Sequence, residues 1–181
     1  MKTYIALLRG INVGGKNILP MKELVVLLQN IGLEKVRTYI QSGNVVFRWS
    51  KNDLSGLSVR IGSKIMEKYG FEPGILLLEF GELTAAISEN PFPGSEAEPE
   101  SLHLGFLAGM PKMPNLKALE NLKKDSEQFR LKDRIFYLKA PEGVGRSKLA
   151  ANAERLLGVP MTDRNWRTVC KIRDMAKEIN G

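Results

Sequence analysis

The chain has one cysteine, Cys170, and one histidine, His103. A lone thiol cannot close an intramolecular disulfide, so a reducing, cytoplasmic setting is the expectation. With one His and one Cys, structural zinc is excluded, because it needs several such ligands. Nor can a Ser/His/Asp or Cys/His set be assembled confidently around a single histidine, and no paired carboxylates stand out. No stretch reaches the ~18 uninterrupted apolar residues of a membrane span. The first apolar run, Tyr4–Leu8, ends at Arg9 and lacks both a signal-peptide core and a small-residue cleavage site. It is expected to be a first β-strand rather than a leader.

What is present is ordinary globular material: 43% hydrophobic and 26% charged residues in a chain of 181. That length suits one large domain or two small halves. The formal charge of +7 keeps anionic partners in play, and its distribution matters more than its sum. Glu79 to Glu100 holds six acids and no Lys or Arg, whereas Lys139 to Arg173 holds eight basic residues against three acids. Solvated surface is the default fate of such charges.

Residues 3–8 read as a strand. Beyond Pro20, the positions Met21, Leu24, Val25, Leu28 and Ile31 recur at helical spacing, and Gly32 is placed to stop that helix. Two short strands follow, Val36–Ile40 and Val45–Trp49, around the turn composition Gln41–Asn44. A second helix (Leu54, Leu57, Ile61, Ile65, Tyr69, ending at Gly70) leads to the apolar strand Ile75–Leu78. The order β-α-β-β-α-β is the ferredoxin-like arrangement. A short helix (Leu83, Ala86, Ile87) and an acidic connector, Asn90–Glu100, come next. The same order then recurs more weakly. Strand Leu102–Leu107 precedes a helix with Leu116, Leu119 and Leu122. A hairpin of Gln128–Leu131 and Ile135–Leu138 turns at Lys132-Asp133. After a helix with Leu149, Ala153 and Leu156 comes an edge segment near Val159–Thr162, and a last helix carries Trp166, Val169, Ile172, Ala176 and Ile179.

The reading is α+β: two ferredoxin-like halves (1–80 and 101–165) joined by a helix and connector (81–100), plus a C-terminal helix (166–181). Apolar residues on both faces of Tyr4–Leu8 and Ile75–Leu78 imply strands covered on both sides. The halves are therefore expected to pack together.

Three motifs concentrate Gly, Asn and basic residues. The first, Arg9 to Asn17, contains Gly10, Asn12, Gly14, Gly15 and Lys16, and comes close to the phosphate-cradling pattern G-x-x-x-x-G-K-[ST]. Asn17 stands where a magnesium-binding hydroxyl is needed, Pro20 starts the helix late, and a hairpin at Ser42-Gly43 requires an antiparallel sheet. All three argue against a nucleotide triphosphatase. The milder reading is an anion site, because three glycines beside Arg9 and Lys16 exceed what a turn needs. The second motif is Gly145, Arg146, Ser147 and Lys148, with Ser147 as helix N-cap. The loops after the first and third strands of such a unit are expected at one end of the sheet, which makes these two motifs equivalent positions in different halves. The third is Arg164, Asn165, Trp166 and Arg167 at the opening of the last helix. Cations there oppose the helix dipole, so either Asp163 and solvent compensate or an anion sits nearby. His103, between Leu102 and Leu104, reads as a solvent-facing or hydrogen-bonded residue rather than a general base, and Cys170 as a small packed thiol.

At these motifs the sequence resembles the mostly bacterial family known as domain of unknown function 1697. The stretches that carry the resemblance are Ala6–Asn17, Tyr39–Phe47, Asn90–Pro93, Gly145–Leu149 and Arg164–Val169. The resemblance implies two ferredoxin-like halves, and no established activity, substrate or cofactor. It adds the turn residues Gln41, Ser42 and Asn44 to the motif positions.

Three functions compete. First is a site for a small phosphate- or carboxylate-bearing ligand formed by the basic loops. Nucleic-acid binding comes second, weakened because Asn44–Trp49 lacks the RNA-recognition pattern and two-sided burial removes a stacking platform. Third is a regulatory or scaffold role towards a macromolecular partner. No residue pattern names a cofactor, a metal, a reaction or a membrane contact.

Overall fold

The computed structural model describes every residue from Met1 to Gly181 except Asn52, Ser95 and Glu96. The chain forms two compact units, Met1–Ala85 together with Lys171–Gly181, and Ala86–Cys170.

The first unit runs β1 (Lys2–Arg9), α1 (Met21–Asn30), β2 (Glu34–Tyr39), β3 (Asn44–Trp49), α2 (Leu54–Tyr69) and β4 (Gly74–Glu79). Its sheet has the order β2-β3-β1-β4, with every neighbouring pair antiparallel. This is the ferredoxin-like topology. Alternation along β1 sends Tyr4, Ala6 and Leu8 into a core with Leu24 and Leu28 of α1 and Leu57, Ile61 and Ile65 of α2. Tyr4 stacks on Phe47 of β3, ring centroids 5.9 Å apart. Each such fully buried large side chain contributes about 1.5–3 kcal/mol. Ile5 and Leu7 are buried too, as two-sided cover of β1 requires. Asp53 caps α2 by accepting from the Gly56 amide, and Gly70, at φ 75°, ends it in the left-handed conformation.

A helix α3 (Phe80–Ser88) leads to the second unit: β5 (Leu102–Leu107), α4 (Leu116–Leu122), β6 (Gln128–Lys132), β7 (Ile135–Lys139), a 3₁₀ turn (Val144–Arg146), α5 (Lys148–Leu157) and β8 (Met161–Asn165). The second sheet repeats the first, with the order β6-β7-β5-β8. Helix α6 (Trp166–Asn180) closes the chain. The expected connector at Ser95 and Glu96 lies outside the described residues. Among the described residues no helix is long and apolar enough to cross a membrane.

Four expectations are corrected. Strand β2 begins at Glu34, and Lys35, at φ 50°, lies within a register shift between Glu34 and Arg37 that a pure alternation pattern does not signal. The β6–β7 turn is Asp133-Arg134, because Lys132 pairs with Ile135; Asp133, at φ 49°, takes the left-handed position. The segment near Val159–Thr162 is the strand Met161–Asn165, so Arg164 and Asn165 of the third motif are strand and only Trp166 and Arg167 open the helix.

The fourth correction concerns the ends of the sheets. Leu7 lies opposite Asn44 and Lys2 opposite Trp49, so β1 ends where β3 begins. In an antiparallel pair the loops after the first and third strands are therefore at opposite ends of the sheet. The Gly-rich loop shares its end with Gln41–Asn44. The Gly145–Lys148 loop lies where β5 begins and β8 finishes, since Leu102 faces Lys139 and His103 faces Asn165.

Candidate functional site

The Gly-rich loop folds back on itself as a miniature hairpin. Val13 and Lys16 form an antiparallel bridge, with the Lys16 amide donating to the Val13 carbonyl at 3.0 Å. Between them Gly14 and Gly15 have φ of 56° and 73°, the two positive values a type I′ turn demands. Asn12 and Asn17, at φ 52° and 51°, occupy the left-handed region that Asn tolerates best after Gly. The Asn12 amide donates to the Asn17 carbonyl at 3.1 Å, and Asn17 Nδ2 donates to the Gly10 carbonyl at 2.7 Å. A Cβ placed on Gly10, Gly14 or Gly15 would meet nothing within 4 Å. These glycines therefore serve backbone conformation, Gly14 and Gly15 in the turn itself and Gly10, at φ 77°, before it. Since α1 begins only at Met21, its amides do not extend the loop into a phosphate cradle.

Asn12 ties this hairpin to the turn between β2 and β3. Its Nδ2 donates to the carbonyls of Leu19 (3.0 Å) and Gln41 (2.9 Å), while its Oδ1 accepts from the Leu19 amide (2.8 Å). The Leu8 amide donates to the Gly43 carbonyl at 2.8 Å. Gly43 cannot be replaced cheaply, because at φ 77° its Cβ would lie 2.6 Å from Leu8 Cβ and 2.8 Å from Ile11 Cδ1. Buried Asn44 closes the turn by donating to the Tyr39 carbonyl and to Ser42 Oγ, at 3.1 and 2.9 Å. Two sequence motifs thus form one surface, with Arg9, Lys16 and Gln41 exposed on it.

Neither Arg9–Lys22 nor Lys35–Lys51 contains an acidic residue. Among the described residues the Lys16 ammonium makes no ion pair. Three aliphatic side chains on the same segments are open to water, Val13 at 69%, Ile18 at 56% and Ile40 at 51% exposure. Sequence reasoning missed them, because periodicity flags apolar residues as core and says nothing about a loop's exposure. In the second unit the corresponding first-strand loop exposes Met110 and Met113, and Leu116 is exposed where α4 begins.

The other two motifs share one end of the second sheet. Ser147 is buried and caps α5 by accepting from the Ala150 amide at 3.0 Å, leaving Gly145, Arg146 and Lys148 exposed around it. Asn165 Oδ1 accepts from the Thr168 amide at 2.9 Å and opens α6, while Trp166 is buried. Arg167 forms an exposed ion pair with Glu100 at 2.9 Å. Burial pulls the Arg164 guanidinium down to about 10, against the opposing charge of Asp163, and leaves it cationic at neutral pH. A cavity of about 520 Å³ opens between Glu98–Ser101, Ala140–Gly143 and Arg167. Its three carboxylates, Glu98, Glu100 and Glu142, outnumber its one arginine. The Lys124 ammonium and the Ser126 hydroxyl, both bonded to Glu142, hold that carboxyl below the usual range.

His103 is a satisfied histidine, 7% exposed, with Nδ1 2.7 Å from Asp163 Oδ2 and Nε2 3.1 Å from the Glu100 carbonyl. Asp163 therefore serves His103 across the β5–β8 pair. The opening of α6 is served by Asn165 and Glu100. Burial is the largest influence on the imidazole and pulls its pKa down, but Asp163 and the Glu100 carbonyl together raise it. Both ring nitrogens are engaged by acceptors, so neither is free to take a proton from a nucleophile. Sixty positions separate this pair, and only strand pairing could have revealed it. Among the described residues no group of three His, Cys, Asp or Glu side chains could hold a metal ion.

A family model described as "Protein of unknown function (DUF1697)" matches residues 1–137. The Gly145–Lys148 and Arg164–Arg167 motifs lie beyond that match. The solved structure of a conserved bacterial protein, SP0830 from Streptococcus pneumoniae, is similar over nearly the whole length. It is 31% identical, with 97% of this chain and 98% of that chain covered and a TM-score of 0.72. No curated protein matches.

Proposed function

We propose that this chain, which belongs to the DUF1697 family of proteins of unknown function, binds an anionic ligand on the surface where Arg9–Asn17 meets Gln41–Asn44. The observation that carries the reading is the one-sided charge of the two segments that form that surface. Two segments without an acidic residue are bonded together through Asn12 and Gln41, and exposed Arg9 and Lys16 stand on them. A hairpin already held by Asn12 and Asn17 loses little freedom when a ligand arrives. The Gly145–Lys148 and Arg164–Arg167 motifs are weaker candidates for the same ligand, because the cavity they flank has an acidic mouth. The single thiol accords with a reducing, cytoplasmic setting for this binding.

The test is thermal-shift screening of the full chain against phosphate- and carboxylate-bearing metabolites, with Arg9→Ala and Lys16→Ala beside the wild type. The expected result is a stabilisation that is reduced in both variants and shrinks with added salt. If no anion stabilises the wild type more than the variants, the reading is lost.

A further inference from the structure

We infer that the ligand of this surface is an acidic polypeptide segment carrying aliphatic or aromatic side chains, docked on Val13, Ile18 and Ile40. The inference rests on the anion-binding reading above and names the class of ligand.

Isolated exposed apolar residues are common on protein surfaces and mean little singly. These three are not isolated. Val13 follows Asn12, Ile18 precedes Leu19, and Ile40 precedes Gln41. The side chain of Asn12 bonds both Leu19 and Gln41, within 3.0 Å in each case. One carboxamide therefore gathers the three segments that display them.

Ile40 is the most informative of the three. It has φ 49°, the left-handed region where a β-branched residue is an outlier and Gly or Asn fits without strain. Its side chain is nevertheless half open to water, so burial does not offset the strain. Strained backbone bearing an exposed apolar group points to a contact made with something else.

Charge and shape select the partner. The absence of acids on both segments, with Lys16 unpaired among the described residues, complements a negative partner. The aliphatic tips complement apolar side chains, which inorganic phosphate and simple carboxylates lack. A nucleic acid fits less well, since single-stranded recognition stacks bases on aromatic rings. All the large hydrophobic residues exposed among those described are aliphatic or methionine.

The experiment is selection of a random-peptide display library on the full chain, repeated on Val13→Ser, Ile18→Ser and Ile40→Asn. Inorganic phosphate and a single-stranded oligonucleotide serve as competitors followed by amide chemical shifts. The inference expects enriched peptides that combine Asp or Glu with Leu, Ile, Val or Phe. They should shift the Gly14, Gly15 and Lys16 amides and bind each variant about tenfold more weakly, equivalent to about 1.4 kcal/mol. Ile40→Asn should at the same time raise the thermal midpoint, a combination that a structural role for Ile40 cannot produce. A lowered midpoint, or unchanged peptide binding in the variants, overturns the proposal. So does enrichment of acidic peptides without apolar residues, or binding of phosphate or oligonucleotide alone, and in those cases anion binding itself survives. If nothing anionic shifts the loop amides, both readings fall together.

Discussion

His103 and Asp163 show how two neighbouring strands make a hydrogen-bonded pair where the sequence suggests only a scattered histidine. The pKa of His103 is raised because Asp163 and the Glu100 carbonyl outweigh the burial that pulls it down. A raised pKa stabilises the fold fully below the unfolded value, about 6.5, and that contribution is lost as pH rises through the folded value. Urea unfolding across the range pH 5.5–8.5, values that bracket about 6.5, should therefore show wild-type stability falling towards the alkaline side. His103→Gln should flatten that slope. A wild-type slope of the opposite sign would mean that burial, and not Asp163, governs the imidazole.

The loop Arg9–Asn17 is tied to its surroundings through one side chain. Asn12 makes three hydrogen bonds across the loop and to the neighbouring turn. Asn12→Gly keeps the left-handed backbone and removes those bonds alone, whereas Ala would add strain at φ 52°. The expected loss is about 1–3 kcal/mol by urea denaturation, with faster hydrogen exchange at the Leu19 amide. Unchanged exchange at Leu19 would show that the loop is held otherwise. This element also marks the limit of what was legible in the sequence. Helix spacing, stop glycines and strand alternation are local, and they located nearly all the elements of both sheets. Pro20 also gave the late start of α1 correctly, since that helix begins at Met21. That Gly14 and Gly15 make a four-residue hairpin was not legible, because such a turn inside a loop leaves no periodic trace. The joining of Asn12 to Gln41, 29 positions apart, and the exposure of Val13 and Ile40 exist only once the sheet has paired.

At the scale of the whole molecule, the chain does not divide where its topology repeats. The first unit takes its closing piece, Lys171–Gly181, from the far end of the sequence. Ile172, Met175, Ala176 and Ile179 of that piece are buried, and its last residues are tied by the Arg37–Glu178 ion pair and by Arg48 Nη1 donating to the Gly181 carbonyl at 3.5 Å. An exposed ion pair contributes at most about 1 kcal/mol, whereas each large buried side chain contributes about 1.5–3 kcal/mol. Burial should therefore decide. Ending the chain at Cys170 removes three large apolar anchors, on the order of 5 kcal/mol, a sizeable share of the total stability of an ordinary domain. Hydrogen exchange should then accelerate in β1–β4 while the amides of β5 and β7 keep their protection, and Arg37→Ala in the full chain should change neither. If β1–β4 stay protected in the shortened chain, the first βαββαβ unit is complete without its distant segment. If β5 and β7 open as well, the two units unfold as one.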